Sequence, residues 1–353
     1  MTILQYARPV IKGIVSCYPE NIVDNLTISP VLSLKEAQKI VASTGIRERR
    51  FASKGVCASD MCVQAGENLL DGLNVDRDSI DVLVFLSQTP DYLGVPATSC
   101  LIQERLGLSE ETAAFDMVLG CSGFVYALST AYAYVEAGAK RVLLLVGETT
   151  SRFTSLGDKT TALLFGDAAA ALLIEESDTE SSSFFSLKTS GAGGQAIVIP
   201  SGGYRNPSTA ENISIVEHED GSRRGGLHVQ MDGMQVFDFT MKEVVKNIKS
   251  IISHANETVD DVDHYILHQA NKFMLDMFLK KLKQPAEKMP ISIDRFGNTS
   301  TVSIPLTITD SIASGHGIDG KSIFCGYGAG LSWGSVFLNL SSLDYTDHQE
   351  YKK

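Results

Sequence analysis

A cysteine stands where its thiol could act as a nucleophile. Cys121 lies in the tight turn Gly-Cys-Ser-Gly at 120–123, between a strand-like run and a predicted helix at 124–136. The dipole and the free N–H groups of a helix N-terminus favour a thiolate over a thiol. Because this helix is apolar on nearly all sides, it should be central, and a tunnel should lead to a deep thiol. The alternative is an inert buried cysteine, the usual fate of a free cysteine.

A histidine and an asparagine further along the chain could complete such a site. His268 ends the apolar run 265–267, and the carboxyl end of a buried strand faces the crevice where α/β proteins bind ligands. Asn298, in the sequence Gly-Asn-Thr-Ser at 297–300, precedes a second predicted helix. The alternatives are a core histidine with satisfied hydrogen bonds and an ordinary N-cap asparagine.

The segment Gly-Tyr-Gly-Ala-Gly at 326–330 is a turn-rich strand end. Its small residues let backbone N–H groups approach a ligand, which is what an oxyanion hole requires. The sequence contains no phosphate-loop spacing, no G-x-S-x-G elbow and no H-E-x-x-H helix. The histidines other than His268 lack metal-ligand spacing, so we expect no metal centre.

The elements that would position these residues occur twice, in the same order. Each set contains an acidic turn leading into an apolar run, a helix, and a second apolar run that another strand follows. The matching segments are 78–85 with 260–267, 121–138 with 298–315, and 140–147 with 321–328. A chance likeness within one α/β protein is the alternative, and three matches in register weaken it.

The repeated pattern predicts a layered α/β fold. Strands this apolar need helices on both faces, so two such halves would pack through a shared helical layer around a pseudo-twofold axis. We place the halves at residues 1–180 and 181–353. The Gly- and Ser-rich stretch 181–227 is expected to form irregular loops that shape a substrate entrance, and the polar stretch 344–353 is expected to be frayed.

Composition limits the classes of function. The chain has 353 residues, 44% of them hydrophobic, and a formal net charge of −12, which disfavours a general nucleic-acid or anionic-membrane surface. Its six cysteines include no C-x-x-C pair and are interpreted as reduced thiols. We expect a cytoplasmic protein, since the N-terminus lacks a signal-like apolar run and no segment approaches the roughly 20 apolar residues of a membrane span.

Six motifs in this order resemble the thiolase-fold condensing enzymes, most closely the beta-ketoacyl-acyl-carrier-protein synthase III family, from about residue 13 to residue 340. The motifs are TGIRERR at 44–50, GCSGF at 120–124, LFGD at 164–167, HQAN at 268–271, GNTS at 297–300 and GAGLSWG at 328–334. The resemblance implies an αβαβα thiolase fold, a homodimer and no tightly bound cofactor.

The resemblance also implies a reaction. Cys121 would take an acyl group from a coenzyme A or carrier-protein thioester, and a malonyl thioester, most simply malonyl-acyl-carrier-protein, would lose carbon dioxide. The enolate would then attack the acyl group and give a 3-oxoacyl thioester. His268 and Asn298 would stabilise the enolate, and the N–H groups of Cys121 and Ala329 would form the oxyanion hole. Asn298 stands where thiolases and elongating synthases have a second histidine, which indicates an initiating type.

Departures from the family pattern bear on the substrates. Initiating members usually have a Trp that stacks on adenine and an Arg beside the TGIR motif, where this chain has Lys39 and Ser43, although Arg152 matches an Arg across the same pocket. Either coenzyme A binds differently or the donor is carrier-bound. Val95 replaces a Phe on the loop that would close the acyl pocket across a dimer, which predicts a roomier pocket and an acyl group longer than acetyl.

Carrier docking would supply a local basic patch on an acidic protein. Lys272, Lys280 and Lys281 follow His268 on a predicted helix, and the last two match docking lysines of the family, while Phe273 stands in place of an Arg. A solvated helix end, where lysines complement the helix dipole, is the alternative.

Two other functions remain open at this stage. An acyltransferase could pass the Cys121-bound acyl group to a hydroxyl or an amine without decarboxylation. A non-catalytic partner subunit is disfavoured because such subunits typically lose the nucleophile, and Cys121 is present. The sequence leaves open the acyl chain length, the donor, and whether the product enters membrane lipid or a specialised metabolite.

Overall fold

The structure is a computed structural model that describes residues 2–179 and 181–353. Residue 180, the predicted end of the first half, lies outside the described residues. The helices are α1 (Leu34–Thr44), α2 (Ala58–Gly72), α3 (Thr98–Arg105), α4 (Gly123–Glu136), α5 (Ala210–Ile213), α6 (Gly233–His254), α7 (Lys272–Leu282), α8 (Ile293–Phe296) and α9 (Ser303–Ala313).

The strands of the first half include most of one sheet. They are β1 (Leu4–Tyr6), β2 (Pro9–Tyr18), β3 (Ile22–Asp24), β4 (Glu48–Arg50), β5 (Val82–Leu86), β6 (Ala113–Met117), β7 (Arg141–Glu148) and β8 (Ala168–Glu176). The later strands are β9 (Ser183–Thr189), β10 (Ile197–Val198), β11 (Val216–Glu217), β12 (Arg223–Arg224), β13 (Gln230–Met231), β14 (His264–Leu267), β15 (Lys321–Gly328), β16 (Ser332–Asn339) and β17 (Tyr345–Glu350).

Two large sheets share one strand pattern. One sheet has the order β17-β2-β8-β7-β5-β6 and the other β1-β9-β16-β15-β14. The parallel pair β5 and β7 corresponds to the parallel pair β14 and β15, and in each sheet an antiparallel strand follows, β8 or β16. The next antiparallel neighbours, β2 and β9, extend the repeat by one strand. Terminal strands β1 and β17 each pair with the sheet of the opposite half.

Side chains alternate between the two faces of each sheet, and these faces pack against three helical layers. On β7, Val142 and Leu144 pack in the core that contains α4 and α9, whereas Leu143 and Leu145 pack in the core that contains α2. On the second sheet, α6 and α7 cover the outer face. Both sheets are therefore covered on both faces, as apolar parallel strands require. The predicted five-layer αβαβα thiolase fold is confirmed.

The central layer positions the candidate residues. Cys121 precedes α4, and Asn298 precedes a short 3₁₀ helix (Ser300–Val302) that continues into α9. Both helices lie between the sheets, and most of their residues are buried. The apolar surface of α4 thus has the central place that the sequence predicts.

Two expectations from the sequence are wrong. The stretch 181–227 is not only loops, because β9 is a full strand paired with β1 and β16. The stretch 344–353 is not frayed, because β17 pairs in parallel with β2 over six residues. Its polar residues conceal this strand, since an edge strand buries only part of its side chains. Among the described residues, no helix combines the length and the hydropathy needed to cross a bilayer.

Candidate active site

One apolar cavity brings together the residues that the sequence singled out. Cys121, His268, Asn298 and Ala329 all line it, and its volume is about 340 Å³. Much of the remaining wall is hydrophobic and comes from Val118, Phe153, Leu164, Phe165, Ile197, Val198, Ile199, Val229, Met231, Val236, Phe237 and Met274. A wall of this kind lowers the local dielectric and strengthens any hydrogen bond to a developing charge.

Cys121 lies in the turn between β6 and α4. The Gly123 N–H donates to the Gly120 carbonyl at 2.6 Å and closes the turn. The Cys121 Sγ lies 3.6 Å from the Ser300 Oγ. The residue keeps some exposure through the cavity, but protein surrounds its sulfur, and this burial raises the pKa of the thiol to about 11. The resting group is therefore a thiol, and not the thiolate that its place before a helix predicts.

The end of β15 lies against the thiol. A Cβ placed on Gly328 would stand 2.9 Å from the Cys121 Cβ and 3.2 Å from its Sγ, so only glycine fits there. A Cβ on Gly326 would stand 2.8 Å from the Cys121 carbonyl oxygen. These close approaches bring the backbone of the following residue, Ala329, beside the nucleophile.

His268 follows β14 and is 1% exposed. Its backbone N–H donates to the Cys325 carbonyl at 2.8 Å, and its Nδ1 lies 2.7 Å from the Ser303 Oγ. The Tyr327 ring stands edge-on to the imidazole at 5.2 Å, and its hydroxyl donates to the His268 carbonyl. Burial lowers the pKa of His268 to about 3, with a smaller opposing effect from the Ser300 backbone, so the ring is neutral at neutral pH.

Asn298 is fixed by the LFGD motif. Its N–H donates to the Leu164 carbonyl at 2.9 Å, and its carbonyl accepts from the Gly166 N–H at 3.0 Å. Its side-chain Oδ1 accepts from the Ser300 N–H at 2.9 Å. This contact turns the oxygen toward the backbone, so the NH₂ group is the end of the amide that can donate to a ligand.

Arg49 of the TGIRERR motif supports the segment that holds Asn298. It is fully buried, and its guanidinium donates to the Phe165 carbonyl at 2.9 Å and to the Asn25 Oδ1 at 2.7 Å. Burial lowers the pKa of Arg49 to about 9, and the nearby Asp167 opposes the shift. The motif thus contributes a structural cation beside the backbone bridge that holds Asn298.

Glu148 is a buried acid that the sequence argument missed. It ends β7, is fully buried, and accepts from the Gln88 N–H, the Thr89 hydroxyl and the Thr301 hydroxyl at 3.1–3.3 Å. Burial raises its pKa to about 8 although these hydrogen bonds oppose the shift. A single Glu after an apolar run resembles a solvated strand end, and this one is enclosed by residues that are distant in the sequence.

Known proteins resemble this chain over most of its length. A family model for 3-oxoacyl-[acyl-carrier-protein (ACP)] synthase III matches residues 115–194, and the model for its C-terminal part matches residues 252–340. The beta-ketoacyl-[acyl-carrier-protein] synthase III of Aliarcobacter butzleri (strain RM4018) is 33% identical over 336 residues, which cover 94% of this chain and 98% of the relative. The chain belongs to the beta-ketoacyl-acyl-carrier-protein synthase III family.

Solved structures agree with membership of the synthase III family. A 3-oxoacyl-(acyl-carrier protein) synthase from Burkholderia xenovorans LB400 matches with a TM-score of 0.92 and 36% identity over 99% of both chains. The priming beta-ketosynthase from the R1128 polyketide biosynthetic pathway matches with a TM-score of 0.80 and 26% identity over 96% of this chain and 98% of that one. The chain is an enzyme of the synthase III family.

The residues predicted to bind coenzyme A lie outside the cavity wall of this synthase III enzyme. Arg152 donates to the Val56 carbonyl at 2.6 Å and to the Ser53 carbonyl at 3.3 Å, while its neighbours Thr150 and Phe153 do line the cavity. Lys39 and Ser43 are exposed on α1, which contacts α7. Their part in binding a donor stays a prediction.

The predicted acyl-pocket residue, Val95, is 83% exposed and does not line the cavity of its own chain. Its place in the acyl pocket of a second copy stays a prediction. Of the predicted docking lysines, Lys280 is exposed, while Lys272 pairs with Asp276 at 2.6 Å and the Lys281 Nζ donates to the Met241 carbonyl at 2.6 Å. Two of the three are therefore engaged within the protein.

Proposed function

We propose that this enzyme forms a 3-oxoacyl thioester by decarboxylative condensation of a Cys121-bound acyl group with malonyl-acyl-carrier-protein. The observation that carries the proposal is the shared cavity of Cys121, His268 and Asn298, one residue from the first half of the chain and two from the second. The enzymatic class follows from the family, and the residue roles are our assignment.

Acylation of Cys121 is the first half-reaction. Its Sγ attacks the carbonyl of the donor thioester, the bond from that carbon to the donor sulfur breaks, and the thiol proton ends on the departing sulfur. The oxygen of the tetrahedral intermediate would accept hydrogen bonds from the N–H groups of Cys121 and Ala329. The close contact of Gly328 with the thiol supports this arrangement.

Condensation is the second half-reaction. The bond between the malonyl carboxylate and its neighbouring carbon breaks, carbon dioxide leaves, and the electron pair forms an enolate. The His268 Nε2–H and the Asn298 NH₂ would stabilise the enolate oxygen. The enolate carbon then attacks the acyl carbonyl, the bond to Sγ breaks, and the released thiolate takes up one proton from solvent. A neutral histidine suits this step, because a cation would also stabilise the malonyl carboxylate before it leaves.

The cavity and its surroundings support expectations about the donor and the acyl group. We expect no tightly bound cofactor, only an acyl thioester on coenzyme A or on a carrier protein. The apolar wall suits an alkyl chain, and we expect one longer than acetyl. Arg152, Lys39 and Ser43 would border the donor's path, and Lys272, Lys280 and Lys281 would meet the acyl carrier protein. Lys280 would contribute most, since the other two already have internal partners.

The active form would be a cytoplasmic homodimer, with each chain divided into halves 1–180 and 181–353. Strand β6 is a free edge of its sheet, at the end opposite β17. Exposed apolar side chains follow this strand directly, at Val118 (71%), and occupy the loop before α3, at Leu93 (85%) and Val95 (83%). A second copy that covers these side chains would remove this apolar surface from water.

A two-step assay tests the proposal. The protein is incubated with acyl thioesters of increasing chain length, on coenzyme A and on carrier protein, and its intact mass is measured before and after malonyl-acyl-carrier-protein is added. We expect one acyl group per chain, lost in C121A but retained in C100A, where an exposed cysteine is removed. Carbon dioxide and a 3-oxoacyl product should follow. Labelling without decarboxylation would instead favour transfer to a hydroxyl or an amine, and failure to label would contradict the nucleophile assignment.

A further inference from the structure

Ser303, the first residue of α9, touches the face of the active-site histidine turned away from the cavity. Its hydroxyl oxygen lies 2.7 Å from the His268 Nδ1 and 2.9 Å from the Ser300 carbonyl oxygen. The side chain is enclosed, because Ser303 is 1% exposed. The remaining ring nitrogen of His268, Nε2, is the one available to the cavity.

A hydroxyl carries a single proton, so Ser303 cannot donate to both neighbours at once. If it donates to the Ser300 carbonyl, Nδ1 must carry the ring proton and Nε2 is a bare acceptor. If it donates to Nδ1, the ring proton is on Nε2. Because the imidazole is neutral, it holds one proton and has to be one tautomer or the other.

The Ser300 carbonyl already has a donor. The backbone N–H of Ser303 donates to it at the end of the 3₁₀ helix. If the hydroxyl proton goes to Nδ1 instead, the Ser300 carbonyl keeps this backbone donor, and no buried acceptor is left without a partner.

We propose that Ser303 is a positioning residue that donates its hydroxyl proton to the His268 Nδ1 and thereby places the ring proton on Nε2, facing the cavity. The proposal rests on the proposed function only for its kinetic consequence. An Nε2–H can donate to the enolate oxygen, whereas a bare Nε2 would repel it. Ser303 thus acts on condensation through His268 and has no contact with the substrate of its own.

Nitrogen NMR tests the tautomer without substrate. Protein with ¹⁵N-labelled histidine is measured near pH 7, and the H268N variant identifies the His268 signals among those of the seven histidines. We expect a protonated Nε2 and an unprotonated Nδ1 in the wild type. The opposite pattern would overturn the proposal whether or not any variant folds, and whether or not the enzyme condenses acyl groups.

Kinetics of S303A test the consequence. The matched control is S311A, which removes a buried serine hydroxyl from the same helix about two turns further on. In S303A we expect Nδ1 to gain proton occupancy and condensation to slow about ten- to a hundredfold, with acylation of Cys121 changed less than about threefold. S311A should match the wild type in both steps. An unchanged tautomer, or equal losses in both half-reactions, would contradict the role.

Discussion

Glu148 Oε1 accepts a hydrogen bond from the Thr301 hydroxyl at 3.1 Å, and this contact joins segments 153 residues apart in the chain beside the candidate active site. Glu148 ends β7 of the first half, and Thr301 lies in the 3₁₀ helix that follows Asn298. The same carboxyl accepts from the Gln88 N–H, at the start of the loop that carries Val95. One buried acid therefore connects the segment that follows Asn298 with the loop expected to meet a second copy.

The raised pKa of Glu148 gives stability a dependence on pH. Its pKa is about 8 in the fold against 4.5 for an unperturbed Glu, so the folded state binds the proton more tightly. The corresponding stability is fully present below about pH 4.5 and is lost as the pH rises through about 8. Relative to E148Q, the wild type should lose at least about 1 kcal/mol of unfolding free energy between pH 5 and pH 9. Denaturant titrations at several pH values measure this, with E67Q on the exposed side of α2 as control. Parallel pH profiles for the wild type and E148Q would refute it.

Removal of the Asn298 amide should separate the two half-reactions. N298A loses one of two neutral donors to the enolate, a change expected to slow condensation about 10²- to 10³-fold. Acylation of Cys121 needs no enolate and should change little. Intact mass reports the acyl-enzyme, and release of labelled carbon dioxide reports the second step. Equal loss of both steps would show that Asn298 mainly holds the fold of the site.

The thiol of Cys121 should react slowly with alkylating agents at neutral pH. Its pKa of about 11 leaves little thiolate, so its rate should rise about tenfold per pH unit between pH 7 and pH 10. The measurement uses iodoacetamide on a C100A background, which removes the exposed cysteine. Peptide mapping then follows Cys121 alone. A rate already constant near pH 7 would mean that the helix N-terminus prevails over burial after all.

Gly166 should be intolerant of a side chain. A Cβ there would stand 2.1 Å from the Phe296 carbonyl oxygen, and the Gly166 N–H holds the Asn298 carbonyl. G166A should therefore lose about 1–3 kcal/mol of stability and most of its condensing activity. G317A is the control, because a Cβ on Gly317 meets nothing within 4 Å. Thermal unfolding and product formation measure both, and a G166A protein as stable as G317A would refute the argument.

A larger residue at position 95 should shorten the preferred acyl chain. If Val95 reaches the pocket of a second copy, V95F would fill space there and shift the preference toward acetyl by about tenfold or more per excluded pair of methylenes. L93F, on the same exposed loop, should leave the chain-length profile unchanged. Acylation rates across a series of acyl thioesters give the comparison. Identical profiles for V95F and the wild type would remove Val95 from the pocket.

The sequence predicts well what depends on local pattern. Apolar runs such as 140–147 and 321–328 become β7 and β15 because buried parallel strands tolerate few polar residues. The turn before α4 follows from its glycines, and the repeat places Asn298 opposite Cys121. What the sequence does not show depends on enclosure by distant segments.

Three features depend on such enclosure. The pKa of Cys121 is set by the protein packed around its sulfur and not by its own helix alone. Glu148 is buried by Gln88 and Thr301, which are far from it in sequence. The polar strand β17 forms because β2 offers a free edge, and no residue pattern within β17 predicts this pairing.

The pairing of β17 with β2 has a consequence for biosynthesis. Residues 9–18 of β2 leave the ribosome early, whereas their parallel neighbour at 345–350 leaves more than three hundred residues later. During translation this rim of the first sheet stays without its partner and exposes N–H and C=O groups to other nascent chains. Chaperones that shield an unpaired strand would therefore matter most for this enzyme before its synthesis is finished.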